Sequence, residues 1–578
     1  MQFRATGVVL ACVVSAMACA RPVPVPAPER AAALINPAWP YMGKARVAEG
    51  DSAMVVSGNR LASEVGRDIL RQGGNAVDAA VAVGMALAVV HPEAGNIGGG
   101  GFMIFHMKDG RHYALDYREA APGAASRDMY LDKDGNPTDA SLVGHLAVGV
   151  PGAVAGMAEA HRRFGRLPWS QVVEPAVRLA RDGFTVDDYR HRSLAGSSRL
   201  LGRFASSRRY FLPGGKAPAV GTRFVQADLA RTLAAIRDSG PAGFYRGWVA
   251  DSLAGEMRRG GGIITLKDLA GYHALWRDPI QIRYRGYTIY SMPPASSGGV
   301  TMAEILNIME GYDPLPPFGS ARLVHLETEA MRRAFTDRNV FLGDPDFVQM
   351  PLDRLLSKEY ADSLRGTILP DRASPTRAFD PSIRTGSSTT HYSVVDAEGN
   401  AVSCTTTLNN SYGSGVAVRG AGFLLNDEMD DFATAPGRPN FYGLVQGEAN
   451  AVAPGKRMLS AMTPSIVLDR NGRLLMVVGT PGGPTIITQV YHVISNVLDH
   501  GMSLPDAVSA PRQHHQALPD SIRLERNGFV PVTIQALQAM GHPVSYRSRW
   551  GDVEAIIRTP RGWQGVSDPR LGGGGAGY

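Results

Sequence analysis

Polar and apolar residues alternate most clearly late in the chain, where residues 391–396 and 401–408 are rich in Val, Thr, Tyr and Ser and flank Ala397-Glu398-Gly399-Asn400. Two such runs around a turn signal predict a β-hairpin. Centring the turn near Glu398 makes paired residue numbers sum to about 796, which sets Thr389 opposite Thr407 with Asn409 just beyond it. A second hairpin is predicted from Pro464-Ser465-Ile466-Val467-Leu468, the turn Asp469-Arg470-Asn471-Gly472 and Leu474-Leu475-Met476-Val477-Val478. Continued outward, that pairing brings Ser460 opposite Gly482 or Gly483.

The pattern differs earlier in the chain. After Gly73-Gly74, residues Asn75 to Val90 carry alanine and valine on nearly every face, and Asp78 is the one charge. That predicts a helix buried in a core rather than a membrane span. Strands and helices alternate loosely through 50–380, broken by Pro293-Pro294-Ala295-Ser296-Ser297-Gly298-Gly299, whereas 389–480 is dominated by hairpins. Periodicity alone supports a mixed α and β chain with antiparallel pairs and no internal repeat.

Composition narrows the class. The 578 residues are 44% hydrophobic and 19% charged, enough to bury a full core and unlike a disordered or fibrous chain. A net charge of +6 is small for this length, and the arginines are scattered, so no nucleic-acid partner is expected. Arg4, the apolar stretch Gly7–Ala18 and small residues at Ala16, Ala18 and Ala20 predict a bacterial secretory signal over residues 1–20. Ala16-Met17-Ala18-Cys19 also resembles an imperfect lipoprotein box, which leaves open a lipid on Cys19 as the sole membrane attachment. The proline-rich stretch 21–45 would then be a tether or leader. A periplasmic or secreted location follows. Cysteines stand at 12, 19 and 404 only, so the mature chain has no internal disulfide, and Cys404 is expected as a buried small residue of its sheet.

Thr389 carries the chemistry. A threonine hydroxyl inside a chain has no base of its own, but cleavage after Ser388 would give Thr389 a free α-amine of pKa about 7.7–8.0, able to act on its own hydroxyl. Gly482 and Gly483 offer unhindered N–H groups suited to an oxyanion, where one donor contributes about 3–4 kcal/mol. The run Gly98–Gly101 lacks the residues of a phosphate cradle and reads as a close backbone crossing. His514-His515 are poorly placed to chelate together. No metal or cofactor is assigned.

Several stretches, in order, resemble the γ-glutamyltransferase (γ-glutamyl transpeptidase, glutathione hydrolase) family of self-processing N-terminal nucleophile hydrolases. They include Gly73 to Ala80, His91 to Met103, Leu115-Asp116-Tyr117-Arg118-Glu119, Val150-Pro151-Gly152, Asn426 to Phe432, Pro481-Gly482-Gly483 and Ser567-Asp568-Pro569-Arg570. The resemblance implies a four-layer αββα sandwich built jointly by a large subunit, 46–388, and a small catalytic subunit, 389–578. It implies Thr389 as nucleophile, Thr407 as its orienting neighbour and the Gly482 and Gly483 amides as the oxyanion hole. Arg118 and Ser460 would hold the α-carboxylate of a γ-glutamyl group, and Asn409, Glu428 and Asp431 its α-ammonium. Residues 436–444 resemble a lid loop, with Tyr442 as its wall. Ala461 departs from the pattern, because many relatives have a second serine there. The implied substrates are glutathione and related γ-glutamyl compounds, with water, amino acids or peptides as acceptors. Two alternatives stand beside this: an acylase for glutaryl or cephalosporin-type chains or poly-γ-glutamate on the same machinery, and an unprocessed lipoprotein that binds γ-glutamyl compounds.

Overall fold

The computed structural model describes residues 34–375 and 389–578. The expected signal, the lipid on Cys19 and the scissile Ser388 lie outside the described residues. Residues from Ile35 to Trp39, the end of the stretch expected as a tether, are docked: both those side chains are buried with Phe318, Met502 and Ala507, and the Trp39 indole donates to Ser509 O at 2.9 Å.

Two seven-stranded sheets form the centre. The first runs, edge to edge, Gly574–Gly577, Met54–Ser57, Thr389–Val395, Ala401–Thr407, Gly100–His106, His112–Tyr117 and Leu275–Arg277. The second runs Arg46–Gly50, Gly562–Ser567, Glu554–Thr559, Leu474–Gly479, Ser465–Leu468, Tyr287–Ser291 and Ile280–Tyr284. The sheets stack face to face. Helices Arg60–Arg71, Ala76–Val90 and Trp169–Asp182 cover the outside of the first. Helices Gly298–Glu310, Ala321–Phe341 and Thr485–Leu498 cover the outside of the second. This is the expected αββα sandwich, and both sheets contain strands from either side of residue 388.

The predicted first hairpin forms in the predicted register: Thr389 pairs with Thr407 and Val395 with Ala401. The turn closes because Asp396 N donates to Asn400 O at 3.0 Å and Gly399 takes φ 90°, a conformation open to glycine. Period-2 alternation then sends Tyr392 toward the helices, while Ser393 faces the second sheet and donates to Glu554 O at 2.9 Å.

The buried helix is Ala76–Val90, and all fifteen residues are buried. It starts with a capping box in which Asn75 accepts from Asp78 N at 3.0 Å and its own N–H donates to Asp78 Oδ2 at 2.9 Å. The Gly98–Gly101 crossing is equally concrete: a Cβ on Gly99 would lie 2.1 Å from Thr407 O, and one on Gly101 2.4 Å from Thr405 O. Bare backbone there lets the strand carrying Thr407 pack tightly.

The second hairpin holds only in part. Ser465 pairs with Val478, and Leu468 with Leu474 across a bulge, but the ladder stops at Ser465. Ser460 instead bridges Ser296 in parallel and its N–H donates to Ala295 O at 2.9 Å. The outward continuation toward Gly482 or Gly483 fails because Pro464, which has no N–H, precedes the last paired residue.

Candidate active site

Thr389 begins a central strand, 8% exposed, with Thr407 directly across the ladder. Their hydroxyl oxygens are 3.2 Å apart. Asn409 N donates to Thr407 Oγ1 at 2.8 Å, which fixes that hydroxyl beside Thr389. The turn after the strand puts Asn409 at φ 74°, a left-handed conformation asparagine tolerates better than most residues. Its amide nitrogen donates to Asp427 O at 2.9 Å, and its carbonyl accepts from the Tyr442 hydroxyl at 2.8 Å.

Arg118 follows the strand His112–Tyr117 and is fully buried. Asp116 Oδ1 accepts its backbone N–H at 3.0 Å, and Tyr272 donates to its carbonyl at 2.6 Å. Its guanidinium donates to Glu428 through Nη1, to Asp431 through Nη2 and to Met458 O through Nε at 3.2 Å. Glu428 and Asp431 share the short 3-10 turn Glu428–Asp431. Glu119 is a third carboxyl, 3.7 Å from Arg118 Nη1, and neither of its oxygens has a hydrogen-bond partner among the described residues.

Burial raises the Glu428 and Asp431 carboxyls above their ordinary range, against the lowering pull of Arg118, and pushes Glu119 to about 7. Burial works against the Arg118 charge as well, but Glu428, Asp431 and Glu119 hold its pKa above the usual value. Three carboxyls therefore surround one guanidinium, and an entering ammonium would relieve the excess of negative charge.

Gly482 and Gly483 lead from the strand Leu474–Gly479 into the helix Thr485–Leu498. Both have positive φ, at 143° and 58°. Their amides lie at a helix N-terminus, where partial positive charge favours an anion. A Cβ on Gly483 would meet the Tyr442 ring at 2.8 Å. Gly483→Ala is therefore expected to lower kcat by about 10²-fold, the scale of one lost oxyanion donor. The check is steady-state kinetics on protein with an unchanged circular dichroism spectrum.

One pocket gathers Thr389, Thr407, Asn409, Arg118, Glu428, Asp431, Ser460, Ala461, Tyr442 and Gly483. Gly482 stands one residue outside its lining. The predicted lid residue Tyr442 forms part of its wall. Sequence reading missed Arg338, Gln446, Leu459 and Met462, which also line it. Only the polar surprise of Asp337-Arg338-Asn339 late in a helix could have pointed to Arg338. Cys404 is buried with its thiol 3.0 Å from the Tyr117 hydroxyl, and burial pushes its pKa up to about 12, so it is the inert sheet residue expected.

His514 and His515 bond separately, to Thr488 and Gln516 and to Asp520. His325, Glu329 and His542 bring ligand atoms within 4.8 Å of one another. Glu329 is taken up by Arg332 and Arg333, and His325 bonds His542 at 2.7 Å and Leu369 O at 2.7 Å. With those partners in place the cluster pins the chain near Leu369 to Ser374 rather than fitting a cation.

Two stacked sheets between helical layers, with a pocket lined by Thr389 at the start of a central strand, and likeness to solved acylase and γ-glutamyltranspeptidase structures define an enzyme of the N-terminal nucleophile hydrolase class. Residues 62–578 match the family model described as gamma-glutamyltranspeptidase. The chain is 48% identical over 524 residues to the glutathione hydrolase proenzyme of Escherichia coli, covering 89% of this chain and 90% of the relative. It is 40% identical over 527 residues to an acylase proenzyme, ACY 1, of a Pseudomonas strain, covering 89% and 91%. The cephalosporin acylase structure from Bacillus halodurans superposes with a TM-score of 0.82 at 28% identity, covering 94% and 98%. This chain belongs to the γ-glutamyltranspeptidase family.

Proposed function

We propose that the chain cuts itself between Ser388 and Thr389 and then transfers γ-glutamyl groups from glutathione and related amides to water or to an amino acid or peptide. The observation that carries this reading is the Thr389 hydroxyl, 3.2 Å from Thr407 and in one pocket with the buried Arg118, Glu428 and Asp431.

Thr389 Oγ attacks the Ser388 carbonyl, the C–N bond breaks as the Thr389 nitrogen takes the proton and becomes a free amine, and water hydrolyses the resulting ester to release the Ser388 carboxylate and restore the Thr389 hydroxyl. That amine next removes the hydroxyl proton as Oγ attacks the γ-carbonyl. The Gly482 and Gly483 amides stabilise the oxyanion, the amine product leaves with a proton, and a γ-glutamyl ester remains. Water or an acceptor amine then attacks the ester and restores Thr389. Arg118 and Ser460 hold the α-carboxylate, while Asn409, Glu428 and Asp431 hold the α-ammonium. The large subunit is 46–388 and the small subunit 389–578. We place the protein outside the cytoplasmic membrane, by the secretory signal read in residues 1–20. Among the described residues no helix is long and apolar enough to cross a membrane.

The test is to release p-nitroaniline from its γ-glutamyl derivative, with and without a dipeptide acceptor. An acceptor-dependent rise in rate supports transfer, and no release from mature protein overturns the reading. Ala461 and the similarity to an acylase favour one second reading, a glutaryl amidase, which the glutaryl anilide measured in parallel decides. Ala461→Ser is expected to raise kcat/KM on the γ-glutamyl anilide about tenfold by restoring a hydrogen bond to a charged group. An unchanged value would remove the lost-hydroxyl argument.

A further inference from the structure

Arg338 is the second guanidinium in the pocket, and its partners differ from those of Arg118. It lies near the end of the helix Ala321–Phe341 and is 2% exposed. Its Nε donates to Ser297 Oγ at 2.9 Å, and its Nη1 to Asn339 Oδ1 at 3.0 Å and Gln446 Oε1 at 3.3 Å. All three acceptors are neutral. Its Nη2 has no partner among the described residues, and no carboxylate there lies within ion-pair distance, whereas Arg118 has three. A buried cation without a counter-charge in direct contact is costly, and burial pulls the Arg338 pKa down to about 10 against the longer-range pull of Asp431.

The neighbours say which end of a ligand would supply that counter-charge. Ser297, which accepts from Arg338, donates to Ser460 O through both its N–H at 2.8 Å and its Oγ at 2.6 Å. Arg338 therefore stands directly behind Ser460 and Ala461. On its other side Gln446 Nε2 donates to Asp431 O at 3.2 Å. The guanidinium thus ties the Ser460 wall to the Asp431 wall at the floor of the pocket.

From this geometry we infer that Arg338 is a specificity-determining residue that binds the α-carboxylate of the acyl donor through Nη2, in the place left without a hydroxyl at Ala461. The inference rests on the γ-glutamyl reading. Arg118 then shares the carboxylate rather than gripping it alone, so it keeps contact with Glu428 and Asp431 while the ammonium docks. The pocket takes amides of short α-amino diacids, and it retains part of that preference for glutaryl amides, which keep the carboxylate and lack the ammonium.

The experiment compares wild type with Arg338→Gln and Arg338→Lys in the full chain, reading self-cleavage on a denaturing gel and kinetics on γ-glutamyl and glutaryl anilides. For Arg338→Gln we expect complete self-cleavage, a KM for the γ-glutamyl anilide raised about tenfold and kcat within about twofold, the effect of one lost charged hydrogen bond. The KM for the glutaryl anilide rises by the same factor. Arg338→Lys keeps the charge and loses the fork, so its KM lies between the two. An unchanged KM, a fall confined to kcat, or failure of both variants to self-cleave overturns the inference, because Arg338 would then serve the fold alone. Wild-type protein inactive on the γ-glutamyl anilide would remove the functional reading itself. Wild-type activity with unaltered variants removes only the role of Arg338.

Discussion

Thr389→Ala gives a single uncut chain on a denaturing gel and lowers kcat by roughly 10⁴-fold or more, the scale of removing a covalent nucleophile. Two losses coincide in this variant. Without the hydroxyl there is no attack on the Ser388 carbonyl, and so no free amine to serve as base. Thr389→Ser separates them: it keeps an oxygen nucleophile, so a band beginning at residue 389 appears, more slowly than in wild type. N-terminal sequencing of the small band is the check. Full cleavage of Thr389→Ala would place the scission chemistry on another residue and end the proposed mechanism. The surrounding fold should survive either change, because the strand is held by its ladder to Ala401–Thr407 and to Met54–Ser57 rather than by the side chain of Thr389.

Arg118→Gln is expected to lower kcat/KM for γ-glutamyl amides by about 10³-fold and to cost the fold about 3–5 kcal/mol, because it leaves the buried carboxyls without their counter-charge. The pH profile carries the mechanism. Burial already raises Glu428 and Asp431, and Arg118 is what lowers them. Removing it raises both further, so they take up protons at a higher pH and the ammonium site weakens sooner on acidification. The acid limb of kcat/KM therefore moves toward neutral pH. An acid limb that stays in place would mean that these carboxyls do not bind the ammonium. Arg118→Lys keeps a charge but cannot reach Glu428, Asp431 and Met458 O together, so its loss falls between wild type and Arg118→Gln.

Legibility in the sequence followed contact range. The Thr389–Thr407 pairing was readable to within a residue or two because a four-residue turn sets the register of the strands it joins, here along seven pairs. The helix Ala76–Val90 was readable because alanine and valine on every face suit only a buried helix, and its Asn75–Asp78 cap is local. The same logic failed at Ser460, five residues past the end of its ladder. There a bridge to Ser296, from a segment far away in the chain, took over. The head-group residues were legible only through the family resemblance. Arg118 and Glu428 are 310 positions apart, and no periodicity relates them.

By itself, then, the sequence determined the hairpin that positions Thr389, the buried helix behind it and the glycines that permit close crossing, all consequences of local turn chemistry and alternation. The stacking of two sheets decided the rest. It brought one buried guanidinium against three carboxyls, left a second facing the pocket from the helix Ala321–Phe341 with no carboxylate in ion-pair contact among the described residues, and set the helix Thr485–Leu498 to aim its N-terminus at the site. Such charges can be kept in a core only when distant segments close around them, because desolvation is offset by partners that only the folded chain can supply.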